Sequence, residues 1–275
     1  AVTENYTISY LYGDISILPR KMTVTADSAR KVYDDTPLAL DNVIFEKLNG
    51  DRGLVEVDGV AQTATAHVVV NSITEVRESP KVNRVDKESV GVVDKSGKNV
   101  TYCYDLEYVD GTLAIDVRPI TITSHSAQKV YDGLEFSEQD FDYTLFDGGN
   151  EVGLVTWHSA RLTKFATLTY ADDIQNEIEV AIEKGENDKI DVTENYKITY
   201  EYGILTVSKR PITITADSES KMYDGTPLVR NSYTYTQFND NPQEGLLQTH
   251  SISATVEGTI TNVKESPVWN IVDED

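Results

Sequence analysis

Residues 192–207 read VTENYKITYEYGILTV, and this stretch decides the fold class. Large side chains recur at every second position from Tyr196 and Ile198 onward, with Lys, Thr and Glu between them. Alternation with period two in β-branched and aromatic residues predicts a strand with one buried face. Gly203 interrupts this run, and a second alternating run follows through Leu205. We therefore predict a β-hairpin that turns at Gly203.

Two further copies of this stretch occupy residues 2–17 and 100–115, which read VTENYTISYLYGDISI and VTYCYDLEYVDGTLAI. Cys103 stands 98 residues after Asn5, and Asn195 stands 92 residues after Cys103. No amphipathic helix of normal length is recognisable between the copies. The whole chain is therefore predicted to be all-β.

A second block, centred on Lys-x-Tyr-Asp, recurs with the same two periods. Its tyrosines are Tyr33, Tyr131 and Tyr223, which stand 98 and 92 residues apart. Because two separate landmarks share their periods, the sequence contains an internal repeat, and ~90–100 residues suffice for a domain with its own core. The residues that we assign to this structural motif are Lys31, Tyr33, Asp34, Lys129, Tyr131, Asp132, Gly133, Lys221, Tyr223, Asp224 and Gly225.

Joints of basic residues and proline connect each closing stretch to the next Thr-rich strand, as in Arg118-Pro119 and Arg210-Pro211. A residue before proline is restricted to extended conformations, so the chain continues there without folding back. Cutting at the joints predicts the C-terminal hairpin of a preceding repeat at 1–18, and repeat modules at 19–117, 118–209 and 210–275, the last without its closing hairpin. A second phasing, with units at 2–99, 100–191 and 192–275, stays open.

The predicted fold class is all-β, with tandem β-sandwich modules of immunoglobulin-like type in an elongated array. A β-grasp-like module is the alternative. A third copy without closing strands would leave a sheet edge unpaired, which is a liability for aggregation. We predict that residues Val2–Ile17 of a neighbouring molecule complete that copy by strand addition.

Composition and charge narrow the classes of function. Acidic residues outnumber basic ones by 46 to 24, which gives a net charge of −22. A field of that sign repels phosphate backbones and anionic lipids, so nucleic acid and membrane surfaces are not expected as partners. No stretch approaches the ~20 apolar residues of a membrane span. The first residues lack the pattern of a signal peptide, so an exported protein would be represented here by a processed form or a piece.

Cys103 is the one cysteine of the chain, which excludes an intramolecular disulfide. The sister copies carry asparagine at its position, so we expect a partly exposed site at the edge of a strand.

The order of the blocks resembles the MBG/YDG-type repeats of bacterial surface proteins. The resemblance rests on KMYDGTPL at 221–228, on the closing stretch at 192–207 and on RPITIT at 210–215, and it covers essentially the whole chain. It implies a β-rich module strung in tandem within a long, exported, adhesin-like protein of the cell surface or cell wall, in a Gram-positive bacterium. Three departures from the motif occur, namely Asp35 for glycine, Leu134-Glu135 for Thr-Pro and Cys103 for asparagine.

The motif aspartates Asp34, Asp132 and Asp224 are compatible with acid–base chemistry, but a turn explains them better. Aspartate accepts local backbone hydrogen bonds, and glycine permits a positive φ. We therefore predict no catalytic residue, no cofactor and no enzyme activity. His158 and His250, each followed by serine, lack the third orienting group of a catalytic site and are expected to cap turns.

A calcium site and a lysine crosslink are two further kinds of site that the recurring residues suggest. Oxygen-rich loops are typical of extracellular calcium sites, but Asn49-Gly50-Asp51, residues 147–151 and Asn239-Asp240-Asn241 lack EF-hand spacing, so solvated loops without metal are predicted. The motif lysines sit where some Gram-positive surface proteins crosslink lysine to asparagine. A lysine whose stem covers apolar surface is the simpler interpretation.

Three functions are compatible with the sequence. The first is a non-enzymatic stalk or spacer of a bacterial surface protein, partnered by neighbouring repeats of the same protein. The second is a binding module whose loops, with some of the 16 tyrosines, recognise a host glycan or a host protein. The third is an accessory region of a glycoside hydrolase, which requires one distinctive carboxylate pair, whereas the acids here repeat.

Overall fold

The computed structural model describes residues 2–69, 72–238 and 243–273. The chain divides into two compact units, one formed by Ala1–Pro119, Asp147–Val155 and Thr193–Lys197, the other by Ile120–Phe146, Thr156–Val192 and Ile198–Asp275. The all-β prediction is confirmed, because every helix in the described ranges is a 3₁₀ turn of three or four residues. These turns are Val2–Asn5, Val76–Glu78, Lys87–Ser89, Thr101–Cys103, Thr193–Asn195 and Val263–Glu265.

The described residues between 20 and 116 of the first unit form ten short strands. They are β1 Arg20–Ala26, β2 Ala29–Val32, β3 Val43–Phe45, β4 Glu56–Val57, β5 Val60–Ala61, β6 Thr63–Thr65, β7 Lys81–Asn83, β8 Gly91–Val93, β9 Tyr104–Val109 and β10 Gly111–Asp116. In one sheet β1 lies between β3, which is antiparallel to it, and β9, which is parallel. In another sheet β10 lies between the parallel β2 and the antiparallel β7.

The two strands of the predicted closing hairpin pair with different partners. β9 pairs with β1, and β10 pairs with β2 in a separate sheet. The hairpin prediction is therefore wrong here, although both strands exist where the alternation placed them. A type I′ hairpin turn needs positive φ at its central residues, and Gly111 is not among the residues with positive φ.

Glycine is required at this corner because two backbones approach closely. A Cβ on Gly111 would lie 2.2 Å from the Asp27 carbonyl oxygen. In the second unit Gly203 occupies the same place, and its Cβ would lie 2.5 Å from the His125 carbonyl group. The chain thus passes from one sheet to another where another loop packs against the corner.

The core of the first unit follows from the alternation of β1. Met22 and Val24 are fully buried, and they pack with Val85, Val92 and Tyr104 in one apolar cluster. Thr23 and Thr25, the alternate residues, face the other side of the strand and are only partly buried. Burying each such aliphatic side chain contributes about 1.5–3 kcal/mol.

From residue 118 onward, the residues that the structure describes form fifteen further strands. They are β11 Arg118–Ser124, β12 Ala127–Val130, β13 Phe141–Tyr143, β14 His158–Phe165, β15 Asp172–Gln175, β16 Ile178–Lys184, β17 Ile190–Asp191, β18 Tyr196–Glu201, β19 Ile204–Ser208, β20 Ile214–Ala216, β21 Leu228–Val229, β22 Tyr233–Tyr235, β23 Val256–Glu257, β24 Thr259–Ile260 and β25 Ile271–Val272. The strand order of the first copy recurs in the second, with β11 between β13 and β18. Likewise β19 lies between the parallel β12 and the antiparallel β15.

The third copy of the repeat has shorter strands and a more exposed interior. β20 pairs with β22, β21 with β24 and β23 with β25. Ile212 is 37% exposed, whereas the equivalent Met22 and Ile120 are 0% and 2% exposed. Among the described residues, no strand lies along the second edge of β20.

The hairpin predicted at 1–18 is not formed. Residues 6–19 contain no strand, and their side chains are exposed. The equivalent strands β9 and β10 are held by parallel pairing with β1 and β2. The edges of β1 and β2 are therefore already paired with β9 and β10, so residues 6–19 cannot pair with them.

Candidate functional site

The Lys-x-Tyr-Asp motif forms a closed turn in the first copy. Lys31 Nζ lies 2.5 Å from Asp34 Oδ1 and also donates to the Thr36 carbonyl oxygen. The backbone N–H of Thr36 donates to the same Asp34 oxygen at 2.9 Å. Asp35 replaces the motif glycine and adopts a φ of 60°, so the turn keeps the left-handed residue that glycine supplies elsewhere.

The second and third copies repeat these contacts. Lys129 Nζ lies 2.6 Å from Asp132 Oδ1, and Lys221 Nζ lies 2.9 Å from Asp224 Oδ1. Gly133 has a φ of 79° and Gly225 has a φ of 80°, as a turn that needs a positive φ requires. Each motif lysine thus bonds an aspartate of its own turn, and none of the hydrogen bonds found for it goes to asparagine.

The motif carboxyl groups are held in the ionised form. Burial raises the pKa of Asp34, but hydrogen bonds from Lys31 and Thr36 outweigh it, and the resulting pKa is below the ordinary value. At Asp224 the hydrogen bond from Lys221 is the largest of the influences that lower the pKa. A general acid or base works best with a pKa near the working pH. These carboxylates are suited to closing turns.

The polar site at Arg118, where one buried guanidinium binds several backbone carbonyl groups, was not predicted from the sequence. This residue is 2% exposed and lies at the start of β11. Its Nε donates to the Gly153 carbonyl oxygen at 2.8 Å, and Nη1 donates to that of Tyr33 at 3.2 Å. Nη2 donates to the carbonyl oxygens of Val152, at 2.6 Å, and Asp147, at 3.0 Å. Burial lowers the pKa of this guanidinium.

Equivalent arginines make equivalent contacts. Arg20 Nε donates to the Gly53 carbonyl oxygen at 2.8 Å, and its Nη2 donates to that of Gly50 at 2.6 Å. Arg210 Nε donates to the Gly245 carbonyl oxygen at 2.6 Å, and its Nη1 reaches that of Tyr131 at 3.3 Å. The recurrence of arginine with the 98- and 92-residue periods was the signal that could have identified these sites.

The hydrogen bonds of these arginines also use oxygen atoms of the oxygen-rich loops that the sequence singles out. Carbonyl oxygens of Gly50 and Asp147, which a cation could bind, accept from arginine. The Asp147 carboxylate accepts from the backbone N–H groups of Gly149 and Asn150. The third loop, Asn239-Asp240-Asn241, lies outside the described residues. Within the described ranges, no group of three or more acidic, histidine or cysteine side chains could hold a metal ion.

Tyr33 is buried beside Arg118 in the first unit. It is 0% exposed, and its ring meets Tyr196 edge-on with 5.6 Å between the ring centroids. The Val155 backbone N–H donates to Tyr196 Oη at 3.2 Å. Burial raises the pKa of Tyr196 to about 12. The motif tyrosine is therefore a core residue in this copy.

In the second unit the equivalent Tyr131 lines an open aromatic slot of about 290 Å³. Tyr170 stacks on Tyr131 with 6.4 Å between centroids, and His250 stacks with 5.8 Å. Tyr170 is 73% exposed, so one wall of the slot faces solvent. His158, which the sequence pairs with His250, is instead 7% exposed and meets Trp157 edge-on.

The asparagine position of the closing stretch has two environments. Cys103 is exposed, as predicted. Asn195, at the equivalent position, is 4% exposed, and its Oδ1 accepts from the Val76 backbone N–H at 2.8 Å. The argument that asparagine marks an exposed site therefore fails for Asn195.

Comparison with protein-family models, with curated proteins and with solved structures gives no match for this chain. In the described part of the chain, no helix is both long enough and apolar enough to span a membrane.

Proposed function

We propose that this chain is a non-enzymatic structural segment, a stalk or spacer, of a bacterial surface protein related to the MBG/YDG-type repeats. The observation that carries the proposal is that the recurring polar residues form hydrogen bonds within the fold itself. The motif aspartates close turns with Lys31, Lys129 and Lys221. Residues that recur in every copy and whose described hydrogen bonds close their own turns support an architectural role.

The hydrogen bonds of Arg118 support a mechanical role, in which the chain resists a pulling force. Four of its hydrogen bonds reach two segments that are distant in sequence, with one bond to residue 33 and three bonds to the loop 147–153. Hydrogen bonds from a charged donor are each worth about 1.5–3 kcal/mol. Pulling the loop 147–153 away from Arg118 requires three such bonds to break together, because one planar guanidinium makes all three.

The mechanical part of the proposal is tested by pulling the chain from its two ends in an optical trap. Arg118→Lys keeps the charge but cannot reach four carbonyl oxygens, so we expect unfolding at lower force. Arg30→Lys is the matched control, since the pair that Arg30 forms with Asp116 is exposed. Equal unfolding forces for wild type and Arg118→Lys would argue against a mechanical role.

A binding module is the second candidate, and the slot at Tyr131, Tyr170 and His250 favours it. Aromatic faces that border an open, largely apolar slot are a common platform for small ligands. A glycan array probed with wild type and with Tyr170→Ala separates the candidates. No selective binding supports the spacer. Selective binding that Tyr170→Ala abolishes would replace the spacer by a glycan-binding module.

A further inference from the structure

The N-terminal segment has the sequence of a core-forming pair of strands but none of its contacts. Residues 4–17 repeat the pattern of 194–207. Ile15 and Ile17 are 100% and 96% exposed, whereas Leu205 and Val207, at the same positions, are 0% and 2% exposed. This segment therefore exposes an apolar face that its sister copy buries.

The third copy of the repeat has the complementary deficiency. β1 and β11 each carry a closing strand on one edge, β9 and β18 respectively. β20 carries β22 on one edge, and no described strand occupies the other. Met222 is 89% exposed, whereas its equivalent Val32 in β2 is partly buried.

An open groove lies beside β20. It measures about 570 Å³, and Ile212, Ile214 and Val272 are among its lining residues. In the first copy Leu106 and Tyr108, from the closing strand β9, pack on the corresponding core. The groove thus has the chemistry and the place of a missing first closing strand.

A second groove, of about 280 Å³, includes Tyr223 and Ser266. Ser266 corresponds to Ser79, whose Oγ accepts from the Ile115 backbone N–H at 2.9 Å in the first copy. Ile115 belongs to β10 and is 3% exposed. This groove accordingly has the place of a missing second closing strand.

We propose that residues 4–17 of a second copy of this chain fill both grooves and complete the third copy of the repeat. The inference does not depend on the proposed spacer function. The pairings of β9 with β1 and of β10 with β2 fix the register. They place Tyr10 opposite Ile214 and Ser16 opposite Ser220, with both inserted strands parallel to the strands they join. Backbone pairing gives such strand addition its affinity, and the alternate side chains give it specificity.

The aromatic slot of the second unit receives Tyr6 in this arrangement. Tyr196, the equivalent of Tyr6, packs against Tyr33 and accepts a backbone N–H two residues beyond a Gly-Leu glycine. Tyr131 is the equivalent of Tyr33, and Leu247 lies two residues beyond such a glycine in the slot. The slot therefore offers Tyr6 the same kinds of partner, a motif tyrosine and a backbone N–H, that Tyr196 has in the first unit.

Sedimentation velocity of the intact chain over a range of concentrations tests the association. We expect wild type to form oligomers and Gly13→Val to raise the concentration of half-association about tenfold or more. Gly13 has nothing within 4 Å in its own chain, whereas a Cβ at the equivalent Gly111 would lie 2.2 Å from a carbonyl oxygen. Leu11→Ser is the control, because Leu11 is 98% exposed and its equivalent Val109 is also exposed. It should change association less than about twofold.

A disulfide tests the register. In a Cys103→Ser background, Ser16→Cys combined with Ser220→Cys should form an intermolecular disulfide on mild oxidation. Ser16→Cys combined with Ser218→Cys should not, because two residues along a strand are about 6.6 Å. A wild-type chain that stays monomeric, association that Gly13→Val leaves unchanged, or a disulfide between the introduced cysteines at positions 16 and 220 of one chain would each overturn the proposal.

Discussion

Arg118 keeps a guanidinium in a place that water barely reaches, since the residue is 2% exposed. Its partners are backbone carbonyl oxygens, and losing their donor would leave buried acceptors unsatisfied. We expect Arg118→Lys to lower the free energy of unfolding by about 3 kcal/mol, as measured by urea denaturation. Arg30→Lys, at an exposed pair, should leave the free energy of unfolding nearly unchanged. Equal losses for the two variants would contradict this role.

Asp224 predicts how the third copy responds to acid. Lys221 and Thr226 lower the pKa of Asp224 in the folded chain. A carboxyl group with a lowered folded pKa stabilises the fold above its unfolded pKa of about 3.9, and this stabilisation is lost as the pH falls through the folded value. Asp224→Asn should therefore lower the melting temperature at pH 7, and its difference from wild type should shrink below about pH 4. A difference that does not change with pH would contradict the assignment.

The turn aspartates could be predicted from sequence because their chemistry is local. Asp34 and Thr36 are two residues apart, so the tendency of an aspartate side chain to accept from the backbone two residues on already predicts their contact. The partners of Arg118 include Gly153, which is 35 residues away, and they are carbonyl oxygens that every residue carries. No residue type marks such a partner in a sequence. The recurrence of the arginines with the repeat period is the sequence signal for these sites.

Gly111 governs the corner between β9 and β10, and it tests the change of sheet. A Cβ there would lie 2.2 Å from a carbonyl oxygen, so the two backbones would have to separate. We expect Gly111→Ala to lower the free energy of unfolding by about 3 kcal/mol, in denaturant titrations. Gly13→Ala, at the unpacked equivalent, should change it by less than about 0.5 kcal/mol. Similar effects at both glycines would refute the close approach.

Alternation predicted the closing strands but not their partners. β9 has the same period of two whether it pairs with β10 or with β1, because side-chain alternation reports only which face is buried. Residues 6–17 make the limit plain, since they share the pattern of 196–207 and form no strand. An alternating pattern shows that a segment can form a strand. Whether the strand forms depends on a free strand edge with which it can pair.

The net charge of −22 opposes association of two copies of this chain. Added salt screens that repulsion, and the Debye length falls from about 10 Å at 0.1 M to about 3 Å at 1 M. Because the proposed contact is mainly apolar and backbone-paired, we expect sedimentation to show stronger association at high salt. Gly13→Val should associate more weakly than wild type under the same conditions. Association that weakens with salt would indicate a different, charge-driven contact.

Hydrogen exchange followed by mass spectrometry, on dilute wild-type chain, tests the central claim that two closing strands complete each copy of the repeat. Amides that lie in stable sheets exchange only when the structure opens, whereas unpaired segments exchange freely. We predict slow exchange in 104–116 and 196–207, and fast exchange in 6–17 and in 218–223, which form no strand. Protection of 6–17 equal to that of 196–207 in the dilute monomer, or fast exchange of 104–116, would contradict the account.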